Sequence, residues 1–176
     1  MRRLLMTSLL VGGAALVAAQ TLAQAPPAPP APAAVPEQMP FDIPYGPTIT
    51  LERAMQAAAA AAAEAKKHNW KLAISVVDPN GDLVFFQKMD GTQIASVGIS
   101  QGKARTAARY RRETRLFFNA METGHPYVGT LDPTLVASPG GFPLMEGGKL
   151  IGAIGCSGAT GDQDAVACKA GTAAFM

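Results

Sequence analysis

A basic stretch in the middle of the sequence holds the side chains best suited to binding an anionic group. It contains six cations, Lys103, Arg105, Arg109, Arg111, Arg112 and Arg115. Arg105, Arg109 and Arg112 recur at i, i+4 and i+7, which places them on one stripe of a predicted helix. Arginines in such a row bind carboxylates or phosphates through forked hydrogen bonds. The competing interpretation is a solvated helix face paired with Glu113 and Glu122.

Lys103 differs from the arginines because it neighbours Ala104, Ala107 and Ala108, which are small enough to pack closely on a sheet. A lysine beside such a face is less simply explained as a solvated charge.

The sequence contains two histidines, His68 and His125. His68 follows two lysines at the predicted end of a helix and is interpreted as a surface residue. His125 lies in Gly124-His125-Pro126-Tyr127, a rigid loop that can present an imidazole to a metal. The alternative for His125 is an ordinary loop role.

Helix, strand and turn signals predict the elements that position these side chains. Thr50 begins a helix that ends near His68. Apolar residues alternate on both sides of Asp78-Pro79-Asn80-Gly81 and predict one hairpin, and a second is predicted across Glu146-Gly147-Gly148. Further helices are predicted over about 94–112, around 116–121, and from a capping Asp162 to about 174. Hairpin-joined strands imply an antiparallel sheet packed against helices, so the predicted class is α+β.

The first residues have the pattern of a secretory signal. Arg2 and Arg3 precede an apolar run that ends at Ala19, and small residues allow cleavage after Ala23 or after Ala25. We assign residues 1–25 to the signal, 26–47 to an extended Pro/Ala-rich linker and 48–176 to the folded domain. The mature protein is therefore expected in the periplasm or secreted, with no transmembrane span. The alternative is that this segment stays uncleaved as an anchor, although its apolar run is shorter than a usual membrane span.

Export changes the charge and cysteine arguments. Of the 15 Lys and Arg residues, Arg2 and Arg3 leave with the signal, so 13 remain against 13 acidic residues. A neutral domain argues against nucleic-acid binding, which depends on many phosphate contacts. Cys156 and Cys168 are an even pair in a compartment that permits a disulfide. The sequence contains no Ser/His/Asp order, paired-histidine zinc motif or dinucleotide fingerprint.

Several ordered blocks resemble the GlcG/HbpS-like haem-binding family over residues 48–175. They are Ile74-Ser75-Val76-Val77-Asp78-Pro79-Asn80-Gly81, Met89-Asp90-Gly91, Gly102-Lys103-Ala104-Arg105-Thr106-Ala107, Pro139-Gly140-Gly141-Phe142-Pro143-Leu144 and Ile151-Gly152-Ala153-Ile154-Gly155-Cys156-Ser157-Gly158. The resemblance implies a profilin-like antiparallel sheet flanked by helices, a homo-oligomer, and haem as the cofactor.

Together, resemblance and residues predict an exported haem-binding protein for haem sensing, storage or uptake. Lys103, Arg105, Arg109 and Tyr127 are the candidate cofactor-binding residues, and His125 is the candidate iron ligand. Two alternatives stay open: peroxide-dependent haem degradation, and an oligomeric module that binds a small organic acid through the arginines.

Overall fold

The computed structural model describes residues 37–39 and 41–175. The predicted signal and the linker up to residue 36 lie outside the described residues. The main elements are α1 (Leu51–Lys67), β1 (Ala73–Val77), β2 (Leu83–Lys88), α2 (Ser96–Tyr110), α3 (Arg115–Glu122), β3 (Gly141–Glu146), β4 (Lys149–Ser157) and α4 (Gly161–Ala170), with 3-10 turns at Pro126–Thr130 and Ala173–Phe175. All of them belong to one compact unit that begins at Gln38.

The four strands form one antiparallel sheet in the order β2-β1-β4-β3. The two predicted hairpins, β1–β2 and β3–β4, lie side by side because β1 also pairs with β4. β1 is buried along its whole length and β4 beyond its first residue, as expected for central strands covered on both faces. The sheet with its helices confirms the predicted α+β class.

Helices cover both faces of this sheet. α2 packs across β1, β4 and β3, while α1 and α4 pack against the opposite face and against each other. The contact with α2 is close at Gly155, where a Cβ atom would collide with the Ser100 carbonyl oxygen and the Ala104 nitrogen. The small residues of α2 thus allow the approach that the sequence pattern predicted.

Some helices begin or end where the sequence predicted and others do not, and the residues at the helix ends explain the difference. Thr50 caps α1 as predicted, its Oγ1 accepting a hydrogen bond from the Arg53 amide. α2 ends at Tyr110, two residues before the predicted Arg112, because Arg111 takes a left-handed conformation with φ 55°. The prediction that Asp162 caps α4 is wrong.

Thr160 caps α4, in a capping box with Gln163. Thr160 Oγ1 accepts from the Gln163 amide, and Gln163 Oε1 accepts from the Thr160 amide. α4 ends at Ala170, short of the predicted residue 174. A disulfide joins Cys156 in β4 to Cys168 in α4 and ties this helix to the central strand.

Residues 41–49, here called the N-terminal strap, pack on the domain although the sequence assigned 41–47 to the linker. The Gly46 amide donates to the Leu150 carbonyl at 2.7 Å, and the Ile49 amide donates to the Ile151 carbonyl at 2.8 Å. The Tyr45 hydroxyl donates to the Arg109 carbonyl at 2.8 Å. Backbone pairing with the start of β4 therefore extends the folded domain to Pro44, and the contact between the Phe41 ring and Arg112 extends it to residue 41.

Candidate functional site

A groove of about 540 Å³ lies between the strap, the end of α2 and α3. We call it the apolar groove, and it is lined by Phe41, Arg112, Leu116, Phe117, Asn119, Ala120, Thr123, His125, Tyr127, Val128 and Leu131. Its volume falls within the range of small-molecule sites. Most of its lining is apolar, and none of the lining residues is acidic.

Local chain reversal after α3 brings His125 and Tyr127 to this groove. Thr123 Oγ1 donates to the Asn119 carbonyl at 2.8 Å, and Gly124 follows with φ +89°. The chain then folds back, so that the His125 amide donates to the Ala120 carbonyl at 2.9 Å. Pro126 starts the next 3-10 turn with its preset φ.

Thr114 anchors the other end of α3. Its Oγ1 donates to the Ser138 carbonyl at 2.7 Å and accepts from the Gly141 amide at 2.9 Å. Phe117 is buried one turn into the helix and forms the floor of the groove. The position of α3 is thus fixed from the segment that leads into β3.

His125 and Tyr127 lie side by side, with ring centroids 6.0 Å apart and ring planes at 72°. Neither nitrogen of the His125 imidazole forms a hydrogen bond within the described chain, so a ring nitrogen is free to coordinate a metal. Tyr127 is 60% exposed and presents its ring at the rim. The structure therefore brings these two predicted residues into one groove.

Arg112 supplies the positive charge of the groove. Its guanidinium lies between two rings, with Cζ 3.6 Å from the Phe41 centroid and 4.6 Å from the Phe117 centroid. Arg112 Nε is buried and has no hydrogen-bond partner in the described part of the chain. Burial lowers the pKa of Arg112, but an arginine remains charged at any physiological pH.

Lys103 does not line the apolar groove. Its side chain is 1% exposed, and Nζ donates to Asp164 Oδ2 at 2.7 Å. Burial lowers the pKa of Lys103 and raises the pKa of Asp164, while their mutual attraction acts in the opposite direction on each. The pair connects α2 with the first turn of α4.

Arg105 and Arg109 are also placed away from His125. Both reach the turn between β1 and β2, where Arg105 Nε donates to the Gly81 carbonyl and Arg109 Nε donates to the Asn80 carbonyl. The predicted stripe breaks at the left-handed Arg111, and Arg112 beyond it lines the apolar groove, which Arg105 and Arg109 do not.

Sequence reasoning did not identify Phe41 or the separate role of Arg112. The role of Arg112 was hard to predict, because the helix ends at a left-handed Arg111. Left-handed helix ends are usually marked by glycine or asparagine, and an arginine gives no such mark. Phe41 was missed because it lies within the predicted linker, residues 26–47. A lone aromatic residue after the Pro/Ala repeats could have indicated where the chain begins to pack on the domain.

The groove combines an apolar lining, an imidazole whose nitrogens make no hydrogen bond within residues 37–39 and 41–175, and an arginine with no carboxylate among the lining residues. These features suit a flat apolar molecule that carries a carboxylate and a metal able to accept a nitrogen ligand. Among residues 37–39 and 41–175, no group of three or more His, Cys, Asp or Glu side chains could hold a metal ion by itself. No helix in that part of the chain is long and apolar enough to cross a bilayer.

Comparison with known proteins gives a family match over residues 49–173, to the family described as haem-degrading protein HbpS-like. Protein GlcG of Escherichia coli K12 is 41% identical over 111 residues, which cover 62% of this chain and 82% of GlcG.

Solved structures agree with this match. A crystal structure of a double mutant of Streptomyces reticuli HbpS has a TM-score of 0.69 at 29% identity, covering 84% of this chain and 99% of HbpS. The crystal structure of a PduOC:heme complex has a TM-score of 0.67 at 25% identity, covering 72% of this chain and 94% of that one.

Proposed function

The chain belongs to the HbpS-like haem-degrading family, and on this basis we propose that it binds haem in the apolar groove. One observation carries the proposal. His125, whose ring nitrogens make no hydrogen bond within the described residues, and Arg112, whose buried Nε has no partner there, line the same apolar groove, and none of its lining residues is acidic. A neutral groove of the same size would not distinguish haem from other apolar molecules.

Each lining side chain has a role that follows from its chemistry. Phe117, Leu116 and Leu131 provide apolar surface for the macrocycle, and a His125 ring nitrogen is the iron ligand. Arg112 would bind a propionate through guanidinium N–H donors, because its ring contacts leave those donors without an acceptor within the described residues. Bound haem would supply a redox-active iron to this surface.

Two of the five residues predicted from sequence, His125 and Tyr127, belong to this proposal. Lys103 is left out because a propionate could reach it only by displacing the buried Asp164. Arg105 and Arg109 are left out because they hold the β1–β2 turn in a different place. Peroxide-dependent degradation stays a prediction.

Replacing the iron ligand should change the haem spectrum. In hemin titrations of the purified protein, we expect a saturable Soret shift, and we expect His125→Ala to move the Soret maximum and weaken binding at least about tenfold. His68→Ala is the matched control, because His68 is the other histidine of the sequence and stacks on Trp70 outside the groove. Absence of a saturable shift in the parent protein would refute haem binding, and an unchanged spectrum for His125→Ala would refute this ligand.

Arg112 tests the propionate contact in the same titration. Arg112→Gln should weaken hemin binding about tenfold or more, since one charge-assisted contact in a desolvated site contributes on this scale. Arg112→Lys should retain part of the affinity, because it keeps the charge but loses the planar fork. Equal affinities for all three proteins would contradict the contact. A haem dimethyl ester, which lacks propionate charge, should bind parent and Arg112→Gln alike.

We also propose that the protein is exported and works in the periplasm or outside the cell. The signal pattern of residues 1–25 supports this, as does the Cys156–Cys168 disulfide, since cytosolic thiols are kept reduced. Expressed with its own N-terminus in a Gram-negative host, the chain should appear in the periplasm, with a mass that matches cleavage after Ala23 or Ala25. Recovery of the uncleaved chain in the cytoplasm would refute export.

A further inference from the structure

A second groove lies between the N-terminal strap and the turn that joins β1 to β2, and its chemistry is polar. It has a volume of about 510 Å³ and is lined by Tyr45, Gly46, Thr48, Pro79, Asn80 and Arg109. It shares no lining residue with the apolar groove. We propose that this polar groove binds a small monocarboxylate anion, with Arg109 as the carboxylate receptor.

Arg109 is held in place before any ligand arrives. Its Nε donates to the Asn80 carbonyl at 2.9 Å, which ties the side chain to the β1–β2 turn. Its own carbonyl accepts from the Tyr45 hydroxyl at 2.8 Å, which ties the backbone to the strap. A guanidinium fixed in this way loses little side-chain entropy when it binds an anion.

The terminal nitrogens of Arg109 keep most of their hydrogen-bonding capacity. The nearest carboxylate is Asp132, whose Oδ2 lies 3.8 Å from Arg109 Nη1, beyond hydrogen-bond distance. Arg109 Nη2 forms no hydrogen bond within the described residues. Arg109 is 43% exposed, so these donors are accessible to a small solute from the groove.

The local charge balance favours a single negative charge. Hydrogen bonds from Thr134 lower the pKa of Asp132, and Arg109 and Arg105 lower it further, so the carboxylate is ionised at neutral pH. Two arginines therefore share one aspartate beside the groove. The Asp78 carboxylate also lies at the turn, where it accepts from the Asn80 and Asp82 amides, and this further negative charge makes a monocarboxylate a better match than a doubly charged phosphate.

Neutral polar groups complete the surface. The Thr48 hydroxyl and the Asn80 side-chain amide line the groove and make no hydrogen bond within the part of the chain that the structure describes. Both can donate to a carboxylate oxygen that Arg109 leaves unsatisfied. The Arg109 guanidinium and the two neutral donors together suit a small carboxylate. The groove offers little apolar surface to a large one.

The test is an NMR titration of the ¹⁵N-labelled protein with acetate and with formate, and with sulfate as the comparison anion. We expect saturable shifts of the Gly46, Thr48 and Asn80 amides with the carboxylates, weaker ones with sulfate, and at least about tenfold weaker acetate binding in Arg109→Gln. Arg109→Lys should also bind more weakly, because it lacks the fork. Arg115→Gln is the matched control, since Arg115 pairs with Asp162 in another part of the domain.

Three results would overturn the proposal: no saturable shift at high millimolar acetate, equal acetate affinity in Arg109→Gln and the parent, or equal affinity for sulfate and acetate. Folding of Arg109→Gln can be checked independently, because the bond from Tyr45 is accepted by the backbone carbonyl and survives the substitution. Hemin titration of the same variant should match the parent, which separates this site from the haem proposal.

Discussion

Asp164→Ala is expected to destabilise the folded domain by about 3–5 kcal/mol, the cost of leaving one member of a buried ion pair without its partner. Asp164 accepts from Lys103 Nζ through Oδ2, and from the Ala159 amide through Oδ1 at 3.0 Å. Removing the carboxylate leaves the Lys103 ammonium buried without a counter-charge, because the Lys103 side chain is only 1% exposed. Equilibrium urea unfolding followed by circular dichroism measures the loss.

Lys103→Met should cost less than Asp164→Ala and should depend on pH. Without Lys103, the carboxyl still accepts from backbone amides, and burial keeps its pKa above the unfolded value. A folded pKa above the unfolded one means that the folded state binds the proton more tightly. The variant should therefore regain stability as the pH falls through the raised pKa of Asp164.

A double variant distinguishes the effect of the charge pair from the effect of the hydrogen bond that Asp164 accepts from the backbone. Lys103→Met with Asp164→Asn removes both charges but leaves an oxygen to accept from the Ala159 amide. We expect it to be more stable than Asp164→Ala, because no uncompensated charge stays buried. A smaller loss for Asp164→Ala than for the double variant would contradict this account of the pair.

Replacing both cysteines by alanine is expected to lower the free energy of unfolding by about 3 kcal/mol. The bridge closes a short loop, with the two cysteines 12 positions apart, and both residues are fully buried between β4 and α4. On the chain-entropy account, the bridge destabilises the unfolded chain, so its loss should chiefly lower stability and leave the fold intact.

Urea unfolding of the parent with and without reductant provides the comparison. The reduced parent and the Cys156→Ala/Cys168→Ala variant should unfold at similar urea concentrations, both below the oxidised parent. The variant should be insensitive to reductant. Equal midpoints for the oxidised parent and the double variant would show that the bridge contributes nothing.

Much of the fold could be predicted because its signals are local. The Asp78-Pro79-Asn80-Gly81 turn and the Glu146-Gly147-Gly148 turn each determine a hairpin from a few adjacent residues, and both hairpins are present. Thr50 could be identified as a cap because its partner is three residues away. For α4, Thr160 and Asp162 are both acceptable caps by type, and the capping box with Gln163 decided between them.

The site could be predicted only in part, because its residues come from separate segments. His125 and Tyr127 were found from one local motif, and they do share a groove. Arg105, Arg109 and Arg112 were grouped by helical spacing, but the left-handed Arg111 ends the helix and separates the first two from the third. Lys103 was set apart from the arginines as a candidate cofactor-binding residue, and only the tertiary structure shows Asp164, which is 61 positions away, as its partner.

The sequence by itself therefore determined the helices, hairpins, cysteine pair and candidate histidine, since each depends on residue types within a few positions. Tertiary structure decided how the cations are used. Packing of α2 on the sheet buries Lys103, and the strap and the Asn80 carbonyl hold Arg109 in a polar groove. Arg112 lies between Phe41 and Phe117, beside His125. These contacts join residues that are far apart in the chain. A local sequence pattern therefore cannot show which charged side chain will be buried away from water.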